Sequence, residues 1–513
     1  MSSTTPFVMP ELVAFAPALP LVAALLIALL HVAGAARGDA RERWTAGLTL
    51  TAIGMPLALL VALGAQGLMF GWPGQVRLGN WFASGNLHVP LSFTLDGLSL
   101  GLATLMSLIT LVATRFSVSY MHRETGFHRF FLAMNLFAGG LLLLLLAGNA
   151  ALVFVAWELM GVASWMLISY AYDRPTAARN AERAFLTNRV GDAGLVLGVA
   201  LSFLWLGGLD WEDMEASAAK LPTLYVSLPV LGFLAAALAK SAQVPFTPWI
   251  TRALEGPTPS SAVFYGAVMV HAGVFLLARL EPLLIHTSGV SALIVALGAL
   301  TALFSWLSGY TQTDVKSALL FSVIAQVGLM FVWIGLGWFD VAVWHAALHA
   351  TWRAWQFLAA PSYLQLLTRP APRAPAWLAR SQRLYTAALQ RFWMEPLTDL
   401  LLTQPTQYLA QDFRAVDANV VSRLVGMPEA QRAAELLADH SEVVKGRGLF
   451  GGMLAWTADR MNRFEQRLVL QGGGGRLESS LGRLAEWLNL IEEMLEQPRY
   501  LLVLIMATVV VIL

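Results

Sequence analysis

Long apolar runs dominate the chain. About 20 apolar residues carry a helix across a bilayer. Runs of that kind fall near residues 11–34, 44–66, 97–117, 129–147, 150–171, 187–206, 228–250, 259–280, 288–308, 315–337, 341–363 and 499–513, the last one short. The pattern predicts an all-α polytopic membrane protein with about 12 transmembrane helices. Segment 68–96 interrupts it with Gly, Pro and Asn, and Leu87–Thr94 reads as extended, so an external hairpin loop is expected there. The first run, Leu12 to Val32, lacks a basic lead and is expected to be a retained helix rather than a cleaved signal.

Basic residues orient the spans. Arg37, Arg41 and Arg43 precede the second run, Arg115, Arg123 and Arg129 flank the third-to-fourth connection, and Arg174, Arg179 and Arg183 precede the sixth. These connections fall on one side, which the positive-inside rule makes cytoplasmic, so both termini are expected outside. One opposite connection is acidic (Asp210, Glu212, Asp213, Glu215). Three domains are expected: a membrane domain over 1–363, a cytoplasmic amphipathic, partner-binding region over 364–498, and a C-terminal transmembrane helix over 499–513. Within the second, Arg383 to Leu402 and Leu481 to Leu495 read as amphipathic, suited to a membrane surface or a partner, and Gly472–Gly475 reads as a flexible break.

Composition agrees: 57% of the 513 residues are hydrophobic and 13% are charged, with mean hydropathy +0.63. Soluble proteins are roughly 25% charged, so a water-soluble globule and a disordered chain are both excluded. Lys and Arg total 33 against 32 Asp and Glu, a net charge of +1 that would attract no nucleic acid. Without cysteine, the chain has no disulfides, thiolate metal sites, iron–sulfur ligation or cysteine nucleophile.

What remains informative is charge placed where charge is costly. An ionisable group at mid-bilayer costs about 2.5–3.5 kcal/mol on insertion scales. Glu158 sits mid-run, with nothing local to neutralise it, and Lys240 ends an alanine-rich run that Pro245 and Pro248 should break. Broken helices expose carbonyls and a dipole end within the membrane, where transporters build ion sites. A lysine that burial pushes toward neutrality and a carboxylate pulls back can trade a proton. His345, His349 and Arg353 recur every four residues on one helix face; imidazole can pass a proton between its nitrogens, whereas arginine is a fixed charge. Asp314 and Lys316 open the tenth run, Arg189 and Asp192 are three apart in the sixth, and His271 lies in the eighth. Each has a plainer role: a local Arg189–Asp192 ion pair, a packed His271, a snorkelling Lys316, and for the histidine pair half of a zinc site, disfavoured because no carboxylate stands at ligand spacing.

Ala239-Lys240-Ser241-Ala242-Gln243-Val244-Pro245 followed by Gly256-Pro257-Thr258-Pro259-Ser260-Ser261-Ala262 closely resembles the signature of the antiporter-like (NuoL/Mrp-type) proton-conducting subunits of complex I and Mrp antiporters. Thr94 to Ser99, Trp157-Glu158, Asn188 to Asp192, Gln312 to Lys316 and His345 to His349 follow in the family's order. The resemblance implies inverted repeats with one discontinuous helix, a Glu158–Lys240 carboxylate–lysine pair, and a midplane polar axis through Lys316, His345 and His349. Asp192 would join the relay; Arg189, Asp314, Pro245, Pro248, His271 and Arg353 would support it. The departures are a second repeat that looks truncated after residue 364, Arg353 where lysine is usual, Tyr265 where histidine is common, and His271 in place of a small polar residue.

A shortened relative with an Arg-rich region and a late terminal helix resembles the DabB type, membrane subunits of bacterial inorganic-carbon accumulation. That likeness implies a soluble DabA-like partner similar to β-carbonic anhydrases and carrying the zinc, with no cofactor or metal in this chain. The expected function is a proton-conducting subunit of a bacterial inner membrane that couples the proton motive force to carbon dioxide hydration in the partner, without being an enzyme itself. The alternatives are a pump subunit of a complex I-type oxidoreductase, a cation/proton antiporter, and a passive membrane anchor.

Overall fold

The computed structural model describes residues 8–35, 38–85, 87–360 and 374–416. Helices α1 (Phe15–Val32) and α2 (Glu42–Phe70) lead into an antiparallel hairpin, β1 (Gly74–Ser84) and β2 (Leu87–Leu95), followed by α3 (Gly97–Tyr120), α4 (Phe127–Leu146), α5 (Ala150–Ile168) and α6 (Pro175–Trp205). After the short α7 (Trp211–Ala218) come α8 (Thr223–Lys240), α9 (Pro248–Arg252) and α10 (Thr258–Ser261). Then follow α11 (Ala272–Arg279), α12 (Glu281–Leu284), α13 (Ser288–Gly309), α14 (Val315–Gly335) and α15 (Phe339–Ala359). The protein is an all-α polytopic membrane protein apart from that hairpin, which is the extended segment expected at Leu87–Thr94.

Among the described residues, 10 helical segments are long and apolar enough to cross a membrane. They account for the first ten runs. The described part of the eleventh, 341–363, lies in α15 (Phe339–Ala359), a helix of spanning length whose hydropathy Asp340, His345, His349 and Arg353 lower. The expected span 499–513, the amphipathic Leu481 to Leu495, the Gly472–Gly475 break and Arg37 lie outside the described residues. The sixth span begins far earlier than its apolar run, at Pro175, because α6 has a polar first third carrying Arg179, Glu182 and Arg183.

Capping chemistry sets where several helices begin. Asp96, Asn149 and Asp314 each accept a backbone N–H three residues on, at 2.8, 2.9 and 2.8 Å, and so start α3, α5 and α14. Two helix pairs cross at glycine. Gly232 of α8 lies against Gly194 and Gly198 of α6, and Gly328 of α14 lies against Gly298 of α13, with backbone so close that a Cβ on either glycine would strike main-chain atoms.

Ion pairs and hydrogen bonds define two ends. At one, Glu42 accepts from His122 and from the Arg123 amide, and Arg129 donates to the Tyr170 carbonyl. These join the Arg-bearing connections, as the alternation of spans requires. At the other, Asp210 accepts from Gln75, Arg77 and Ser92 and ties the hairpin to the connection after α6.

The chain divides into two compact units, Met1–Thr398 and Asp399–Leu513. The first includes part of the region expected to stand apart from residue 364 onward. Within it, Trp377 stacks on Trp306, Arg252 and Arg183 hold Glu395, and Thr398 donates to the Pro245 carbonyl. The described part of the second unit is a π-helical turn, Asp399–Thr403, running into helix Gln404–Val416, with Leu400, Leu401, Tyr408, Leu409 and Phe413 exposed.

Candidate functional site: a buried charge cluster and a histidine pair

Helix α8 ends at Lys240, inside the apolar run that continues to residue 250. Pro245 and Pro248 have no N–H to carry the ladder on, so residues 241–247 turn back, with Ala242 at φ +51°. The freed groups find partners: the Gln243 amide bonds to Leu238 O, the Val244 amide to Thr301 Oγ1, and the Trp249 indole donates to Ala239 O at 2.9 Å. Both prolines therefore serve the expected break.

Lys240 is fully buried. Its Nζ donates to the Trp157 carbonyl at 3.2 Å and lies 5.1 Å from the Trp157 ring centre. The charged groups acting on it are Asp192, Arg189 and Glu158. The direct Glu158–Lys240 pair is not formed. Arg189 takes Glu158 instead, one Nη on each acid, Nη1 to Glu158 and Nη2 to Asp192 Oδ2 at 2.7 Å. The cause is reach: α5 brings Glu158 and α6 brings Arg189 to the same interface, and the planar guanidinium fork offers one Nη to each of two carboxylates. The Arg189–Asp192 pair, expected to be local, is thus half of a bridge between helices. With all four groups ionised the cluster is neutral.

The span that follows is also irregular. Ala262–Ala267 is wound as a π-helix, with the Val268 amide reaching Val263 O, and Met269–His271 tightens to a 3₁₀ turn before α11. The resemblance implied one discontinuous helix; this second interruption places His271, which is buried, against α15. His271 Nε2 lies 3.0 Å from His349 Nδ1, and Arg353 Nε donates to His349 Nε2 at 3.1 Å. Arg353 is itself held by Gln356 Oε1 at 2.7 Å and Ser322 Oγ at 2.5 Å. His345 Nε2 meets Gln326 Oε1 at 2.9 Å, and its Nδ1 accepts from the Trp333 indole at 3.3 Å. Both rings of the expected pair thus have polar partners on neighbouring side chains. The turn after Lys240 runs toward His271: α11 packs so closely on it that a Cβ on Gly273 would meet Ser241 Oγ. Ser241 Oγ, Gln243 Oε1, Thr247 Oγ1 and His271 Nδ1 are buried polar atoms without a hydrogen-bond partner among the described residues, the class of atom that ordered water satisfies.

Two expected residues lie elsewhere. Lys316 is in the first turn of α14 and donates to Thr258 Oγ1 at 2.7 Å, half-buried at the Arg-rich end. That is not the midplane, because Gln326, the partner of His345, lies almost three helical turns further along α14. Asp314 is the cap of the same helix. Both line an open cavity of about 540 Å³ with Arg252, Glu255 and Arg391.

Gln326, Trp333, Ser322 and Gln356 escaped notice in the sequence, as did the Lys240 contact with the Trp157 carbonyl, because single polar or indole groups in apolar runs carry no signal of direction. Among the described residues no group of three or more His, Asp or Glu side chains could hold a metal ion.

Comparison with known proteins follows the same outline. Residues 147–371 match the family described as NADH:quinone oxidoreductase/Mrp antiporter, TM, and residues 81–131 match NADH-ubiquinone oxidoreductase (complex I), chain 5 N-terminus. The NADH-quinone oxidoreductase subunit L of Mycobacterium tuberculosis is 37% identical over 344 residues, 65% of this chain and 54% of that one. The NADH-ubiquinone oxidoreductase chain 5 of Neurospora crassa is 36% identical over 292 residues, 57% of this chain and 41% of that one. A chain in the structure of the Mrp complex from Dietzia sp. superposes with a TM-score of 0.57 at 28% identity, covering 67% of this chain and 37% of that chain. The chain thus spans about half the length of the curated relatives it matches.

Proposed function

From the likeness of residues 81–131 and 147–371 to the antiporter-like subunits of complex I and Mrp complexes, we propose that this chain conducts protons across a bacterial inner membrane as one subunit of a larger complex. The observation that carries the proposal is Lys240: a fully buried ammonium at the end of a broken helix, facing two acids that a second cation, Arg189, already holds.

The chemistry follows from which group can let go. Arginine keeps its proton, so Arg189 is a fixed charge that keeps Glu158 and Asp192 ionised and in place. Lys240 has three N–H donors and makes one hydrogen bond, to a backbone carbonyl, so releasing a proton breaks little. Release leaves the cluster at net −1, and a buried uncompensated charge recruits the next proton. Arg189 and Lys240 compete for Asp192, both acting on it electrostatically. Protonation at Lys240 draws Asp192 from Arg189, and deprotonation returns it. His345, His349 and His271 continue the path beyond the broken helix. One proton crossing 100 mV yields about 2.3 kcal/mol. The subunit is a transporter component, and any catalysis falls to its partners.

Lys240→Met in native membrane vesicles should abolish uncoupler-sensitive proton flux, more than tenfold, while the chain still assembles. Flux within twofold of wild type would refute the relay and favour the passive anchor. The finer form of the proposal, coupling to a DabA-like zinc carbonic anhydrase-type subunit, is supported by the sequence likeness to DabB. Co-purification separates it from the complex I-type reading: a soluble zinc protein supports one, a flavin- and quinone-linked assembly the other.

A further inference from the structure

Valence at the histidine pair restricts where a proton can go. Arg353 Nε points at His349 Nε2, and arginine has no acceptor to offer. His349 Nε2 must therefore present a lone pair, and the neutral ring carries its proton on Nδ1. That proton points at His271 Nε2, which must also be a lone pair. The His271 proton then lies on Nδ1, facing the Ala267 carbonyl in the rewound turn without good hydrogen-bond geometry. Both tautomers are fixed by one guanidinium.

No further proton fits this arrangement. Placed on His349 Nε2, it opposes the Arg353 N–H. Placed on His271 Nε2, it opposes the His349 Nδ1–H unless that proton shifts to Nε2, which again opposes Arg353. Every singly protonated form of the pair breaks either the His271–His349 or the His349–Arg353 hydrogen bond. The surroundings favour the second. His271 is buried beside a small cavity lined by the apolar Leu102 and Met106 of α3, Leu141 and Leu144 of α4, and Phe275 of α11, which offer no acceptor to an N–H turned away from His349. Arg353 is half-buried and keeps Ser322 and Gln356 as partners after letting His349 go. The titratable or charged groups acting on His349 are His271, His345 and Arg353, and the neighbouring α14 supplies the neutral Ser322 to Arg353 and Gln326 to His345.

We propose that His271 and His349 form a single proton-accepting unit whose uptake of a proton is coupled to release of Arg353 from His349, making Arg353 the positioning residue of a gate. The gate rests on the proton-conducting function proposed above. It deepens that function by naming what moves.

The test uses the full chain in lipid bilayers with ¹⁵N-labelled histidine and arginine. Near neutral pH both rings should be neutral with His349 protonated on Nδ1. On acidification the imidazolium signal should appear together with loss of the Arg353 Nε–His349 Nε2 contact. An Nε2-protonated His349 at neutral pH, or an imidazolium formed with that contact intact, overturns the proposal. In vesicles, Arg353→Met should move the pH profile of flux toward alkaline pH by at least about one unit, because a cation within about 5 Å is removed, and Arg353→Lys should restore it. An unmoved profile, or a loss of flux at every pH that lysine does not restore, also overturns it. Absence of flux in the wild type would instead sink the proton-conducting function, and the magnetic-resonance result, read on the resting protein, would stand apart from it.

Discussion

Asp96 ties the start of α3 to the end of α11, and its removal should be costly in two separable ways. Its Oδ1 caps α3 by accepting the Ser99 amide at 2.8 Å, and its carboxylate takes Arg279 through both Nη atoms, at 2.5 and 3.0 Å. Arg279 is the last residue of the span that carries His271 and is largely buried. Loss of the cap costs about 1 kcal/mol, and loss of charge-assisted partners to a buried guanidinium about 2–3 kcal/mol. Asp96→Ala should therefore lose about 3–4 kcal/mol, and Asp96→Asn, which still caps, about 2–3 kcal/mol. For a cooperative unit of roughly 250 residues each kcal/mol moves the midpoint by about 2 °C, so the alanine variant should melt about 6–8 °C lower and the asparagine variant about 4–6 °C lower. The assay is tryptophan fluorescence on heating the purified chain in one detergent. Burial raises the Asp96 carboxyl, but Arg279 and Ser99 together outweigh it and hold the group below the ordinary carboxylate range. A lowered value stabilises above the unfolded range and is lost as pH falls through the folded value. The gap between wild type and Asp96→Asn should thus be flat from pH 8 to 5 and close below about pH 4. An asparagine variant that melts with wild type refutes the ion-pair contribution, and two variants that melt together refute the cap.

Asp210 has the opposite sign. Burial raises its carboxyl despite Arg77 and the hydrogen bonds from Ser92 and Gln75. The hairpin should therefore gain protection against hydrogen exchange, corrected for intrinsic rate, as pH falls through the raised folded value toward the ordinary carboxylate value of about 4, and Asp210→Asn should remove that dependence; an unchanged slope in the variant refutes it. Gly328→Ala would place a methyl 2.7 Å from Gly298 O and 2.9 Å from the Ala302 amide. Because both neighbours are backbone, the α13–α14 crossing must open at a cost of about 1–3 kcal/mol, and a midpoint equal to wild type in the same melting assay would contradict so tight a crossing.

Much of this was legible from residue order alone. Apolar runs located the spans because a bilayer imposes one length on every helix, and Gly, Pro and Asn around residue 80 marked the hairpin because a sheet edge needs water. Pro245 and Pro248 announced the break, since a missing N–H acts locally. The partner of Glu158 was not legible. Glu158 and Arg189 lie 31 positions apart on different helices, and periodicity gives the face of each helix but not which faces meet. His271 was named from the sequence, but its pairing with His349 was hidden for a related reason: its orientation depends on a π-turn whose extra residue shifts register by about 100°, and no local composition announces that. Lys316 was placed at the midplane by likeness, whereas the cap at Asp314 fixes it at the start of α14.

Charge counting shows why the two sites must work together within the proposed relay. The cluster around Lys240 is neutral when its two acids and two bases are ionised, whereas the histidine pair, both rings neutral, sits beside the single positive charge of Arg353. Passing a proton from Lys240 to the pair would leave −1 at the first site and +2 at the second. Inside a protein, where an effective dielectric near 20 makes a contact pair of charges worth about 4 kcal/mol, such a separation is uphill unless something offsets it. Two changes offset it with parts already present: a new proton reaching Lys240 as the old one leaves, or Arg353 withdrawing from the pair it faces. The first requires that entry and transfer happen together, and the second that Arg353 move. A permanently charged arginine at each site therefore makes the resting state neutral where the lysine waits and repulsive where the proton must go next, so that flow needs an accompanying event.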